Sequence, residues 1–130
     1  MENNRKERDK KYREQEHIKR KAKEKYSTLE GRFVHWRAGA KKRGLEFSIT
    51  IDDLKNYKLK CYYTGRELTY EPHQLNTVSL DRIDSNKGYT KDNVVFCCDC
   101  VNVGKSDLAL EEFVKMCCDV YVLYKKRNKF

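Results

Sequence analysis

The chain has 130 residues, the size of one small domain with an appendage. Its 29 basic and 20 acidic residues give a formal net charge of +9, and only 38% of its residues are hydrophobic, so any core is modest. No apolar run resembles a secretory signal or a membrane span. Because the six cysteines come without such a signal, we expect reduced thiols and a cytoplasmic protein.

All of the net charge lies in the first third of the chain. Residues 1–43 contain 16 basic and 7 acidic residues, a net charge of +9, whereas residues 44–130 contain 13 of each. Such a block is typical of a phosphate-binding arm, because neutralising phosphates releases condensed counterions. The alternative is a solvated, partly disordered tail. We favour the arm because of the site that follows it.

The predicted elements begin with two helices. Residues 2–26 are nearly all polar, lack proline and glycine, and predict a charged helix. Ser27 to Glu30 fits a capping box that starts a second helix, and Gly44 is placed to close it. The apolar face of this second helix consists of Leu29, Phe33, Trp36 and Ala40. We therefore divide the chain into a basic helical arm, residues 1–26, and a folded domain, residues 27–130.

The rest of the chain alternates between strand and helix patterns. Residues 45–49 predict a short strand, and Thr50 is an N-cap for a short helix. Strands are predicted over 77–83 and 94–98, joined by a turn-rich loop and followed by a short helix over 99–105. A last helix, from about 108 to 126, is expected to close the fold. Its apolar face consists of Leu110, Phe113, Val114, Cys117, Val120 and Tyr121, with Cys117 pointing inward.

Polar side chains stand where these strands and the short helix meet. Asp81 lies near the end of the first strand of the pair, and Asn102 lies on the helix after the second. A carboxylate and an amide oxygen suit a hard divalent cation such as Mg²⁺, which stabilises charge on a phosphate. Asn93 opens the second strand, where its amide can tie the loop to the backbone.

Five segments carry a family resemblance: residues 43–47, 61–65, 79–84, 87–94 and 102–105. They resemble the small HNH endonucleases common in bacteriophages, over roughly residues 28–122. The resemblance implies an α+β fold with a ββα-metal core, and metal-dependent hydrolysis of a DNA phosphodiester. The basic N-terminal helical arm and a C-terminal helix complete the expected architecture.

Carried over by position, the resemblance also implies residue roles. Asp81 and Asn102 match the family's ligands for Mg²⁺ or a similar divalent cation, and Asn93 matches its central, structural asparagine. These three residues and Arg82, which directly follows Asp81, are the four candidate catalytic residues. Lys105 matches a basic position that faces phosphate. Other candidate nucleic-acid contacts are the basic side chains of Arg32, Lys41, Lys42, Arg43 and Lys87.

One departure from the family concerns catalysis. The family's general base is a histidine directly after the metal-binding aspartate, and here that position holds Arg82. A guanidinium stays protonated and cannot accept a proton, although it can grip a phosphate. The substitute bases that we consider are Asp84, Tyr89 and His73. For Asp84 we favour capping of the following turn, and for His73 a place on a surface loop.

A second departure concerns zinc. Many relatives carry two C-x-x-C knuckles, but each knuckle here has lost its second cysteine, at Thr64 and at Val101. Zinc normally takes four nitrogen or sulfur ligands, and adjacent strand positions point to opposite faces. We therefore expect the four thiols of Cys61, Cys97, Cys98 and Cys100 to be buried core side chains and expect no structural zinc.

Three functional hypotheses follow. The first is an HNH-type DNA endonuclease or nickase. The second is a catalytically degenerate HNH scaffold that binds DNA or another protein. The third is a viral accessory protein whose basic arm grips a host nucleic-acid machine. Arg82 separates the first two, whereas the basic arm supports both equally.

Overall fold

The computed structural model describes residues 2–128 and has a mixed α+β fold. The helices are α1 (Glu2–Tyr26), α2 (Leu29–Lys42), α3 (Ile51–Lys55), α4 (Asp99–Lys105) and α5 (Leu110–Asn128). The strands are β1 (Val78–Arg82) and β2 (Val94–Cys98), paired in one antiparallel sheet. Within residues 2–128 no helix combines the length and apolar character that crossing a membrane requires.

The boundary between α1 and α2 differs by one residue from the sequence prediction. The N-cap of α2 is Thr28, whose side-chain oxygen accepts the Gly31 N–H at 3.2 Å. Ser27 instead donates its hydroxyl to the Lys23 carbonyl at 2.7 Å, at the end of α1. The turn is tight, because a Cβ added at Gly31 would collide with the Lys25 carbonyl. The predicted capping box from Ser27 to Glu30 is therefore wrong, although the predicted helix is present.

Gly44 closes α2 as predicted. Its φ is +67°, its N–H donates to the Lys41 carbonyl, and the Leu45 N–H donates to the Ala40 carbonyl. This is the Schellman arrangement, which favours glycine because that conformation is strained for other residues. Thr50 then caps α3 in a reciprocal capping box with Asp53. Both helix ends follow from local sequence.

The two strands form the centre of a three-layer arrangement. Asp81 pairs with Val95 and Leu80 with Phe96. Because side chains alternate along a strand, Ser79 and Asp81 share one face of β1, and α4 covers that face. The ring of Trp36 in α2 lies 6.1 Å from that of Phe96, on the other face. The buried core consists of Ala40, Ile49, Leu54, Cys61, Leu68, Val78, Leu80, Tyr89, Val94, Phe96, Cys97 and Cys98.

Two predictions about elements are wrong. Residues 45–49 do not form a strand: Phe47 makes one isolated bridge to Tyr89, because no neighbouring strand extends the pairing. The C-terminal helix does not close the fold, since α5 has no buried residue and no other described element packs along it. Cys117 is accordingly exposed rather than inward.

Candidate active site

A polar cleft of about 390 Å³ runs beside β1. Residues from both faces of β1 line it, which places it along the edge of β1 that is not paired with β2. The loop after β1, the end of α2 and the end of α4 form its other walls. Its lining residues are Trp36, Arg43, Ser79, Leu80, Asp81, Arg82, Ser85, Tyr89, Asn102, Ser106 and Asp107. The cleft thus brings together three of the four predicted catalytic residues, Asp81, Arg82 and Asn102.

Asp81 is buried and held by two partners. Its Oδ2 accepts the Tyr63 hydroxyl at 2.5 Å and lies 3.3 Å from Lys105 Nζ. Lys105 also donates to the Arg82 carbonyl at 3.1 Å. Burial, together with the hydrogen bond to Asp81, raises the pKa of Tyr63, so Tyr63 remains a hydrogen-bond donor. These contacts hold the carboxylate through its Oδ2.

Asn102 is oriented by β1. Its Nδ2 donates to Ser79 Oγ at 2.9 Å, so its Oδ1 is the atom available to a ligand. Within residues 2–128, no cluster of three or more His, Cys, Asp or Glu side chains could enclose a metal. An Asp81 oxygen and an Asn102 oxygen in one cleft nonetheless suit Mg²⁺, which commonly takes one or two protein oxygens and completes its shell with water and phosphate.

Asn93 and Arg82 organise the loop between the strands. Asn93 accepts the Asp84 N–H and donates to the carbonyls of Asp84 and Gly88, at 2.9–3.0 Å. Arg82 Nη1 donates to the carbonyls of Ser85 and Lys87, at 2.7 and 2.8 Å. The amide of Asn93 ties the loop to the strand, in the way its sequence position indicates. Arg82 therefore holds this loop in place through two hydrogen bonds, and it also lines the cleft.

The three candidate substitutes for the missing histidine lie in different places. Tyr89 lines the cleft, accepts a hydrogen bond from Arg43 at 2.7 Å, and has the Arg82 guanidinium 5.4 Å from its ring centre. Asp84 accepts the Asn86 N–H at 2.9 Å, which is the predicted cap of the turn. His73 lines a separate groove between α1 and the loop before β1. Of the three, Tyr89 alone lines the cleft.

The predicted phosphate contacts divide into two groups. Lys41, Lys42, Arg43 and Lys87 are exposed, with Arg43 at the cleft wall. Two others are internal, which corrects their predicted role. Lys105 is fully buried because it neutralises Asp81. Arg32 is buried because it donates to the carbonyls of Tyr70 and Val78, at 2.8 and 3.4 Å.

The cysteines near the sheet are core side chains. Cys61, Cys97 and Cys98 are buried, and Cys61 Sγ accepts the Cys98 N–H at 3.3 Å. Burial raises the pKa of Cys97, which keeps this thiol protonated. The prediction is wrong for Cys100, which is exposed because it lies in the first turn of α4, where it donates to the Leu75 carbonyl at 3.4 Å.

Sequence reasoning missed the supports of the site. Sequence patterns indicate no role for Tyr63 and do not link Ser79 or Lys105 to the ligands beside them. A signal for two of these contacts was present: Ser79 and Asp81 are two apart on a strand, and Asn102 and Lys105 are three apart on a helix. Each pair therefore shares a face, and the two faces pack together.

Comparisons with known proteins agree with the fold. No protein-family model matches the chain. Over 77% of its length it is 32% identical to an uncharacterised protein of Acanthamoeba polyphaga mimivirus, and over 67% it is 32% identical to an uncharacterised 29.0 kDa protein of Enterobacteria phage T4. The matches span only 18% and 36% of those relatives. Both are viral proteins, but neither identifies an activity.

A solved structure gives the architectural match. The rare-cutting HNH restriction endonuclease PacI superposes with a TM-score of 0.52, covering 74% of this chain and 78% of that one, at 18% sequence identity. This likeness shows that the chain has an HNH-like fold, as the sequence motifs predict.

Proposed function

We propose that this protein is an HNH-type DNA endonuclease or nickase that uses a divalent cation in the cleft beside β1. The observation that carries the proposal is the presence in one cleft of two candidate ligand oxygens, on Asp81 and Asn102, with two guanidiniums, on Arg43 and Arg82. Oxygen ligands and guanidiniums together form a site suited to a phosphodiester. The HNH-like fold, shared with a DNA-cutting enzyme, supports the same conclusion.

In this proposal the residues of the chain have distinct tasks. Asp81 and Asn102 hold the cation, which when bound stabilises negative charge on the scissile phosphate and its leaving oxygen. Tyr63, Lys105 and Ser79 orient the two ligands and are positioning residues. Arg43 lies at the cleft wall, where its guanidinium can hold a phosphate oxygen.

Tyr89 is the proposed proton donor in this cleft, which lacks the family's histidine. Its hydroxyl accepts a hydrogen bond from Arg43 and lines the cleft that holds Asp81, whereas Asp84 and His73 face elsewhere. As a phenol it would donate its proton to the leaving oxygen and recover one from water; it would not take over the histidine's task of accepting a proton from the attacking water. Substitution by phenylalanine removes this group and keeps the ring that packs against Phe47.

A second candidate function is a DNA-binding scaffold without cleavage. Arg82 is engaged by two loop carbonyls, and Lys105 neutralises the only carboxylate proposed as a metal ligand. Both contacts stabilise the fold without any metal. Exposed Lys41, Lys42 and Lys87 would serve this function equally well.

A plasmid-nicking assay with Mg²⁺, Mn²⁺ or EDTA tests the two functions. We expect metal-dependent nicking that is abolished in Asn102→Ala and at least ~100-fold slower in Tyr89→Phe. The matched controls are Val103→Ala, the exposed neighbour of Asn102, and Tyr62→Phe, an exposed tyrosine outside the cleft. Both controls should nick like the wild type.

The other outcomes distinguish the candidates. DNA binding without nicking under any metal would favour the scaffold. Nicking that appears only after Arg82→His would show that the natural chain has lost catalysis. Full activity in Tyr89→Phe would remove Tyr89 from the mechanism and leave the metal site in place.

A further inference from the structure

The C-terminal helix α5 has an apolar stripe that the rest of residues 2–128 covers only at its start, at Leu110 and Phe113. Leu110, Phe113, Cys117 and Val120 recur at alternating spacings of three and four residues, which places them along one side of the helix. Val114, Met116 and Tyr121 widen this stripe, and each of these three is about half to two-thirds exposed. The domain meets α5 only at its first turns, where Phe113 lies near Gly104.

An uncovered stripe of this size is unusual for a lone domain. Exposed apolar side chains are normally scattered, and contiguous patches above a few hundred Å² mark interaction sites. The stripe borders an apolar groove of about 530 Å³, which includes Leu108 and Met116. A 19-residue helix with such a stripe offers an apolar area on the order of several hundred Å², comparable with the ~800 Å² per partner of a standard interface.

The distribution of charge along α5 indicates which kind of partner fits it. Its first turn carries Glu111 and Glu112, and its last turn carries Lys125, Lys126 and Arg127. Two parallel copies would place acid beside acid and base beside base. Two antiparallel copies place the acidic turn of each against the basic turn of the other, and they also oppose the helix dipoles favourably. The helix is therefore complementary in charge to a second copy of itself, in the geometry of a two-fold symmetric pair.

We propose that α5 is a dimerisation helix that pairs antiparallel with α5 of a second copy of this chain. The two-fold axis lies at the level of the stripe residues Cys117 and Val120, near the midpoint between the acidic and basic turns. The proposal does not depend on the nuclease assignment, because it uses no residue of the cleft. A dimer would carry two clefts, one for each strand of a duplex.

The oligomeric state of the full chain tests this proposal. Sedimentation equilibrium should give twice the 15.6 kDa chain mass at micromolar concentration. Val120→Asp should weaken dimerisation at least ~10-fold, because it buries a carboxylate in the apolar interface. The matched control is Val122→Asp: Val122 is 62% exposed against 67% for Val120, but it lies about 200° around the helix from it. This control should remain dimeric.

Charge reversal tests the orientation. Replacing Glu111 and Glu112 by lysine should weaken the dimer, and further replacing Lys125 and Lys126 by glutamate should restore it. Circular dichroism should show unchanged helix content in all variants, since none of these side chains is buried. A wild-type monomer at all concentrations would overturn the proposal, as would a dimer that tolerates Val120→Asp. A monomer whose α5 adsorbs to vesicles of anionic lipid would also overturn it and assign the stripe to a membrane surface.

Discussion

Replacing Asp81 by asparagine should destabilise the domain by about 3–5 kcal/mol, the usual cost of breaking a buried ion pair from one side. Lys105 is completely buried, with its Nζ 3.3 Å from Asp81 Oδ2 and 3.1 Å from the Arg82 carbonyl. After the substitution the positive charge of Lys105 keeps only its hydrogen bond to the Arg82 carbonyl. Asparagine still offers an oxygen to the Tyr63 hydroxyl, so the loss comes mainly from the uncompensated lysine. For a small domain whose total stability is ~5–15 kcal/mol, this is a large fraction.

Urea unfolding, followed by the fluorescence of the single tryptophan, measures this effect. Trp36 packs beside Phe96 and reports on the sheet. Lys105→Met alone should be destabilising, because it leaves the Asp81 carboxylate buried without its cation. The double variant Asp81→Asn/Lys105→Met should lose much less free energy of unfolding than the two single variants together, since no unpaired charge remains in it. A loss below ~1 kcal/mol in Asp81→Asn, or strict additivity, would refute the internal pairing. The same measurement is needed before loss of nicking in any Asp81 variant is interpreted as chemistry.

Two further predictions concern the loop and the thiols. Asn93→Ala removes three hydrogen bonds to the loop at Asp84 and Gly88, and at ~1 kcal/mol each it should cost about 3 kcal/mol in urea unfolding; a loss below 1 kcal/mol would contradict a structural role. In native protein at pH 8, iodoacetamide should modify exposed thiols and spare Cys97. Burial raises the pKa of Cys97, so its thiol stays protonated at this pH and the reactive thiolate does not form. Peptide mass spectrometry should find Cys97 modified only after unfolding; rapid native labelling would contradict the buried placement. The thiols expected to react are Cys100 and Cys118; Cys117 is exposed in the single chain but lies in the proposed α5 interface, so it should react only in the monomer.

Local sequence patterns predicted the elements around the site closely. The apolar run of residues 94–98 and the polar start at Asp99 correspond to β2 and α4 with the predicted bounds. Gly44 and Thr50 were identified from conformational preferences that act within a few residues. These features are set by neighbouring residues, so a single sequence contains enough information to locate them.

The failures share a different cause. The periodicity of α5 showed which residues share a face, but periodicity does not state whether the rest of the chain covers that face. Residues 45–49 had the alternation of a strand but lacked a neighbour to pair with. Arg32 and Lys105 were assigned to phosphate because long basic side chains are usually exposed. Their burial depends on carbonyls and a carboxylate distant in sequence, on β1 and around it.

The length of α1 can be compared with the helical repeat of DNA, the proposed substrate of the cleft. Its 25 residues, at 1.5 Å per residue, make a rod of about 37 Å, close to the ~34–36 Å of one turn of B-DNA. Eleven basic and six acidic side chains are distributed along this rod and around it, and nearly all of them are exposed. The tight turn at Gly31 joins the C-terminal end of this rod to α2. Its reach would extend a footprint on DNA by about one helical turn beyond the domain.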